Sequence, residues 1–147
     1  RKLRGGDYEY SPPEENYSNF RLPEGTWGIA IDDSKIQRKL MGRFFTMIGI
    51  PTTLQMLLGS NDDEILNFTD TFLYVIRNNS NNYFLLIADE NLDMGHETIS
   101  GSKCVEKIRQ QLEPDVESKM LALVRSANDS ASDVATYNSR AHGFFPK

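Results

Sequence analysis

Residues 83–89 read Tyr83-Phe84-Leu85-Leu86-Ile87-Ala88-Asp89, an apolar run that ends on a carboxylate. A short apolar run bounded by polar residues has the pattern of a strand buried on both faces of a parallel sheet. The pattern recurs on either side. Ile29-Ala30-Ile31 runs into Asp32-Asp33, Met120-Leu121-Ala122-Leu123-Val124-Arg125 into Ser126-Ala127, and Gly143-Phe144-Phe145-Pro146 into Lys147. Ligands of open α/β sheets bind just beyond the carboxyl ends of the strands. Three carboxylates, one hydroxyl and one ammonium are therefore expected to converge on one sheet edge. That set suits a divalent cation and a phosphoryl group.

Helical patterns separate these runs. Ser34 to Ile48 is expected to be the first helix, with Ile36, Leu40, Phe44 and Ile48 as its buried stripe, closed by Gly49 and Pro51. Thr52 to Leu57 is expected to be the second strand. Asn61-Asp62-Asp63-Glu64 caps a second helix that buries Ile65, Phe68, Phe72 and Ile76. After a polar loop, Asn78 to Asn82, comes the strand that ends at Ala88. Asp89 to Ser102 is expected to be a long irregular loop. Ser102 to Leu112 is expected to be a third helix with Val105, Ile108 and Leu112 inward, broken by Pro114. A short fourth helix between Ser130 and Arg140 is expected to turn Ala131, Val134 and Ala135 inward. Strands alternating with helices imply a parallel sheet with right-handed crossovers.

From Thr26 to Lys147 the chain resembles a receiver domain of the response-regulator (CheY-like) superfamily. The paired acids, the lone Asp, the Ser-Ala and the Lys stand in the family's order, each after an apolar run. The wording IDDSKIQRKLM, IADENLDM and ALVRSANDS…HGFFPK is most similar to receivers attached to hybrid histidine kinases of eukaryotic microbes. The resemblance implies a flavodoxin-like three-layer α/β sandwich with a five-stranded parallel sheet of order 2-1-3-4-5. It implies that Asp89 accepts a phosphoryl group from a histidine kinase or a histidine phosphotransfer domain. Asp33 and Asp89 then ligate Mg²⁺, the Asn91 backbone carbonyl adds a ligand, and Asp32 acts partly through water. Ser126 hydrogen-bonds the phosphoryl group, Lys147 contacts one of its oxygens, and Phe144 occupies the switch-aromatic position. Three neighbouring carboxylates repel one another, and a cation relieves that conflict.

The chain departs from the family in three places. Leu92-Asp93 stands where a Met-Pro pair is usual, and the segment Gly95 to Gly101 is longer and more polar. Family members also continue past the lysine into a fifth helix, whereas this sequence stops at Lys147. A bare apolar face is therefore expected beside the first helix, with self-association or cover from the N-terminal aromatics as its consequence.

Residues 1–25, with Gly5-Gly6, Pro12-Pro13, several acids and Tyr8, Tyr10, Tyr17 and Phe20, read as a linker or extended arm preceding a receiver domain over 26–147. The 147 residues suit one domain with a real core. A net charge of −5 gives no basic footprint for nucleic acid, and no long uncharged apolar stretch suggests a membrane segment. The lone Cys104 fits a reducing, cytoplasmic setting and reads as a core residue.

Blander readings stand beside these. Asp-Asp-Ser also serves as a helix cap, Lys147 as a solvated end, Phe144 as plain core, and the loop as a mobile insertion. His96 and His142 lack the context of a phosphodonor or a metal ligand. A Mg²⁺-dependent phosphatase of the haloacid-dehalogenase type would also use an aspartate nucleophile at a strand end. Its motif is Asp-x-Asp, and this chain has Asp32-Asp33-Ser34. A degenerate receiver used only as a docking scaffold is the other alternative.

Overall fold

In the computed structural model, residues 2–3, 7–8 and 21–147 are described. Of the expected arm 1–25, residues 1, 4–6 and 9–20 lie outside the described residues, with Tyr10, Tyr17 and Phe20 among them. Lys2–Leu3 and Asp7–Tyr8 form a two-residue antiparallel ladder. Leu22 packs against the core beside the first helix.

The main sheet has five parallel strands. In chain order the elements are β1 (Trp27–Ile31), α1 (Lys35–Met47), β2 (Gln55–Leu58), α2 (Asp62–Leu66), α3 (Phe68–Arg77) and β3 (Phe84–Asp89). There follow β4 (Asn91–Asp93), β5 (Thr98–Ser100), α4 (Gly101–Gln110), α5 (Pro114–Glu117), β6 (Met120–Ser126), α6 (Ala131–Arg140) and β7 (Gly143–Pro146). The sheet order is β2-β1-β3-β6-β7. Once the β4–β5 hairpin is set aside, this is the expected 2-1-3-4-5 order of a flavodoxin-like sandwich. The central strand β3 is buried along its whole length, which is why it reads as an unbroken apolar run.

Side-chain oxygens cap four helices. Ser34, Asn61, Ser100 and Ser130 each accept a backbone N–H from the first turn, worth about 1 kcal/mol apiece. The larger core lies between the sheet and α2, α3, α4 and α6, around Phe68, Phe72, Ile76, Val105 and Ile108. The smaller core lies under α1 and holds Ala30, Met41, Phe45, Ile50, Leu85 and Ile87. Among the described helices, α1 alone packs on that face. Phe45 lies flat on β1 because residue 28 is glycine. A Cβ there would stand 2.7 Å from the Phe45 ring.

Several local expectations need correction. In α1 Met41 and Phe45 are buried and Phe44 and Ile48 of the expected stripe pack half-buried beside them, while Ile36 is 71% and Leu40 40% exposed. The helix carries two adjacent apolar stripes, and only packing on Gly28 selects between them. The second helix breaks at Asn67 into α2 and α3. Thr52–Leu54 is a 3₁₀ turn, so β2 begins only at Gln55. The loop expected to be irregular is the β4–β5 hairpin, with Leu92 buried and paired to Ile99. In α6 the buried residue is Tyr137, while Ala131 and Ala135 are exposed and Val134 is half-buried.

No described helix is long and apolar enough to cross a membrane. Besides Ile36 and Leu40, the exposed large apolar residues include Met47 on α1 and Leu121 on β6.

Candidate functional site

Strand register assembles the site. Ile31 pairs with Ala88, so Asp32 and Asp89 leave neighbouring strands side by side. Asp89 pairs with Arg125, and Ser126 with Pro146, which places Ser126 and Lys147 on the same edge. The Lys147 N–H donates to the Ser126 carbonyl at 3.1 Å, which carries the ladder one residue further. Five sequence-predicted residues, Asp32, Asp89, Ser126, Lys147 and Asp33, thus cluster at one end of the sheet.

Each side chain is held by neighbours. Asp32 is buried, and its Oδ1 accepts the Ser34 N–H at 2.9 Å, so it braces the first turn of α1. The cap reading of Asp-Asp-Ser is met by Ser34, and the same stretch sets Asp32 and Asp33 beside Asp89. The Arg38 guanidinium donates to the Asp32 carbonyl at 2.9 Å. Asp33 is half-buried beside it. One carboxylate oxygen from each of Asp32, Asp33 and Asp89 lies within 4.8 Å of the others. Lys147 Nζ reaches Asp89 Oδ1 at 3.1 Å and Asp32 Oδ2 at 3.3 Å. It is no solvated chain end.

The electrostatics follow from that crowding. Burial, then the Asp32 charge, pushes the Asp89 carboxyl up from 3.8 to about 6, against the opposing pull of Lys147. Burial works against the Lys147 ammonium, but its bonds to Asp89 and Asp32 outweigh that and hold its pKa above the usual lysine value. Three carboxylates against one ammonium leave a net charge of −2 when all are ionised. Hard oxygen donors, close spacing and that residual charge fit a divalent cation such as Mg²⁺.

The other expected residues fall as follows. Asn91 opens β4 two residues after Asp89 and is exposed. Ser126 is buried at the end of β6, and its Oγ accepts the Asn128 N–H at 3.0 Å and the Tyr137 hydroxyl at 3.2 Å. Phe144 is half-buried, with its ring 5.2 Å from that of Tyr137. His142 stands apart from the acids. Its Nδ1 accepts the Ala122 N–H at 2.9 Å and its Nε2 faces Glu117 at 3.0 Å. His96 is exposed on the hairpin turn. Cys104 is half-buried, and burial raises its thiol pKa, the opposite of a reactive thiolate.

Three contributors escaped the sequence reading. Tyr137 touches the site hydroxyl. Gly101 lies against the Asp89 carbonyl, where no Cβ fits, and its N–H donates to Glu90 O at 2.9 Å. Glu90 accepts the Ser102 N–H at 2.9 Å and the Ser100 hydroxyl at 2.9 Å, which ties the residue after Asp89 to α4. Only the spacing Val134-Tyr137-Ala141, an apolar i, i+3, i+7 set, signalled the first of these.

No family model matches the chain, and no curated protein matches it by sequence. Solved structures match it by fold. The chemotaxis protein CheY4 of Vibrio cholerae is 16% identical with a TM-score of 0.58, over 83% of this chain and 86% of that one. A response regulator receiver protein from Dyadobacter fermentans is 14% identical with a TM-score of 0.60, again over 83% and 86%. The signal receiver domain of a NarL response regulator from Mycobacterium tuberculosis is 17% identical with a TM-score of 0.55, over 84% and 85%. At such identities the likeness is one of fold.

Proposed function

We propose that the chain is a phosphoryl-accepting receiver module of a histidine–aspartate phosphorelay, with Asp89 as the acceptor. One observation carries this reading. Asp89 ends the central strand against Asp32 and Asp33 with Lys147 Nζ 3.1 Å away, in a fold shared with receiver proteins.

The chemistry assigns each residue a task. An Asp89 carboxylate oxygen attacks the phosphorus of a phosphohistidine on a kinase or a histidine phosphotransfer domain. The P–N bond breaks as the P–O bond of an acyl phosphate forms, and the imidazole leaves with the electron pair. Lys147 moves with its charge from the Asp89 carboxylate to a phosphoryl oxygen. Ser126 Oγ accepts from the Asn128 N–H and the Tyr137 hydroxyl, and its own O–H would donate to the phosphoryl group as Oγ turns toward Asp89. Asp32, Asp33, Asp89 and the Asn91 carbonyl would hold Mg²⁺, which when bound neutralises charge gathering on the transferring group. A cytoplasmic hybrid histidine kinase is the setting that fits this module, and the aromatic-bearing arm 1–25 would join it to an upstream domain.

Treatment with acetyl phosphate and Mg²⁺, followed by intact mass, tests the proposal. A single labile adduct on wild type that is absent from Asp89→Asn is the expected result. Rapid multiple turnover of phosphate esters would indicate a phosphatase instead. No adduct under any condition would leave a docking scaffold.

A further inference from the structure

We infer that Tyr137 is a positioning residue that holds the Ser126 hydroxyl in the unphosphorylated state and reports its departure to α6. The inference rests on the phosphoacceptor reading above and goes beyond it, because it moves the polar half of the switch off strand β7 and onto α6.

The geometry has three parts. Tyr137 is the buried residue of α6, with 3% of its surface exposed, and its hydroxyl donates to Ser126 Oγ at 3.2 Å. Its ring packs at 5.2 Å on Phe144, with 31° between the ring planes. Phe144 has no polar tip, so that side chain cannot sense where the Ser126 hydroxyl points. A buried hydroxyl needs a partner, and Tyr137 finds its own in Ser126.

That bond sets up a competition. Ser126 Oγ moving toward a phosphoryl group on Asp89 draws away from Tyr137. The tyrosine hydroxyl is then left in an apolar pocket without its acceptor, an arrangement proteins avoid. Relief requires the ring to swing or α6 to shift. In the same turn of α6, Arg140 reaches the other side of the site. The Arg140 guanidinium donates to Ser102 Oγ at 2.9 Å, and the Ser102 N–H donates to the Glu90 carboxylate beside Asp89. Arg109 of α4 also donates to the Arg140 carbonyl at 3.1 Å. The last turn of α6 is therefore tied to both sides of Asp89, through Tyr137 to Ser126 and through Arg140 to Ser102. A change at the acid reaches its exposed face without passing through Phe144.

The test uses the full chain with beryllofluoride and Mg²⁺ as the phosphoryl mimic. In wild type, isotope-labelled tyrosine resonances assigned to Tyr137 should move on saturation, while those of the distant, exposed Tyr74 stay put. Tyr137→Phe keeps the ring and frees Ser126, so beryllofluoride affinity should rise about three- to tenfold, the worth of one hydrogen bond. In a Ser126→Ala background the same change should have no effect on affinity. If the mimic binds wild type but Tyr137 does not shift, or if Tyr137→Phe acts equally in both backgrounds, the inference is wrong and the phosphoacceptor reading survives. If wild type does not bind the mimic with Mg²⁺ and Asp89→Asn behaves identically, both fall.

Discussion

Gly101 stands so close to the main-chain carbonyl of Asp89 that a Cβ at residue 101 would overlap it. The first residue of α4 thus rests on the last residue of β3, and the hairpin between them loops out and returns to the same point. Gly101→Ala should push the two backbones apart. Overpacking of this kind costs about 1–3 kcal/mol, read by chemical denaturation. A displaced Asp89 should also lose labelling by acetyl phosphate by about a hundredfold, since a shift near 1 Å suffices. Normal labelling kinetics in a folded Gly101→Ala protein would show that the contact does not position the acid.

Asp89 should make the ion-free protein pH-sensitive. Its folded pKa of about 6 lies above the ordinary 3.8, raised by burial and by Asp32. The folded state therefore holds this proton more tightly than the unfolded chain. The stabilisation from proton binding is complete below pH 3.8 and is lost as pH rises through about 6. At pH 7.5 the ionised group costs about 3 kcal/mol relative to an unperturbed carboxylate. In EDTA, Asp89→Asn should be the more stable protein at pH 7.5, with the gap narrowing by about 1–1.5 kcal/mol at pH 5. Added Mg²⁺ should close it from the other side. An Asn variant no more stable than wild type at pH 7.5 would mean that Asp89 bears no such strain.

Lys147 and Asp33 should act on Mg²⁺ in opposite directions. Lys147 Nζ sits on two of the carboxylates and competes for them. Lys147→Met should therefore tighten Mg²⁺ binding, by about tenfold at low salt, while slowing phosphorylation. Asp33→Ala removes a donor from the cluster and should weaken Mg²⁺ binding, with excess Mg²⁺ restoring phosphorylation only in part. Calorimetric titration of both variants separates the effects. A looser Lys147→Met or an unchanged Asp33→Ala would place the ion elsewhere.

What could be read from the sequence, and what could not, follows from how local each signal is. The apolar runs ending in Asp32, Asp89, Ser126 and Lys147 are local, and parallel pairing brings such run ends together. The sheet order and the clustering of those residues were therefore legible. Which stripe of α1 faces the sheet was not, because Ile36-Leu40-Phe44-Ile48 and the neighbouring Met41-Phe45 are both apolar at helical spacing. Gly28, beneath Phe45, settles the choice from a distant strand. Tyr137 was missed for a related reason. Its apolar ring and polar tip make sense only once Ser126 and Phe144 are seen to converge on it. The hairpin was missed because β4 and β5 are short, with Leu92 the one fully buried residue between them.

The phase of α1 has a direct test. Phe45 is fully buried over Gly28, whereas Ile36 is 71% and Leu40 40% exposed. Phe45→Ala should cost about 3–5 kcal/mol, the range for emptying a packed phenylalanine site. Ile36→Ser with Leu40→Ser should cost no more than about 0.5 kcal/mol per site, as for surface positions. The double variant should instead change how the protein associates. Ile36, Leu40 and Met47, at i, i+4 and i+11, form an exposed apolar stripe on α1. An exposed apolar stripe of that kind favours contact between copies. Sedimentation of wild type at rising concentration should show self-association that the double variant reduces. If the double variant loses as much stability as Phe45→Ala, the helix lies on the sheet in the other phase. If both proteins sediment as monomers at every concentration, copies of this chain do not meet through this surface.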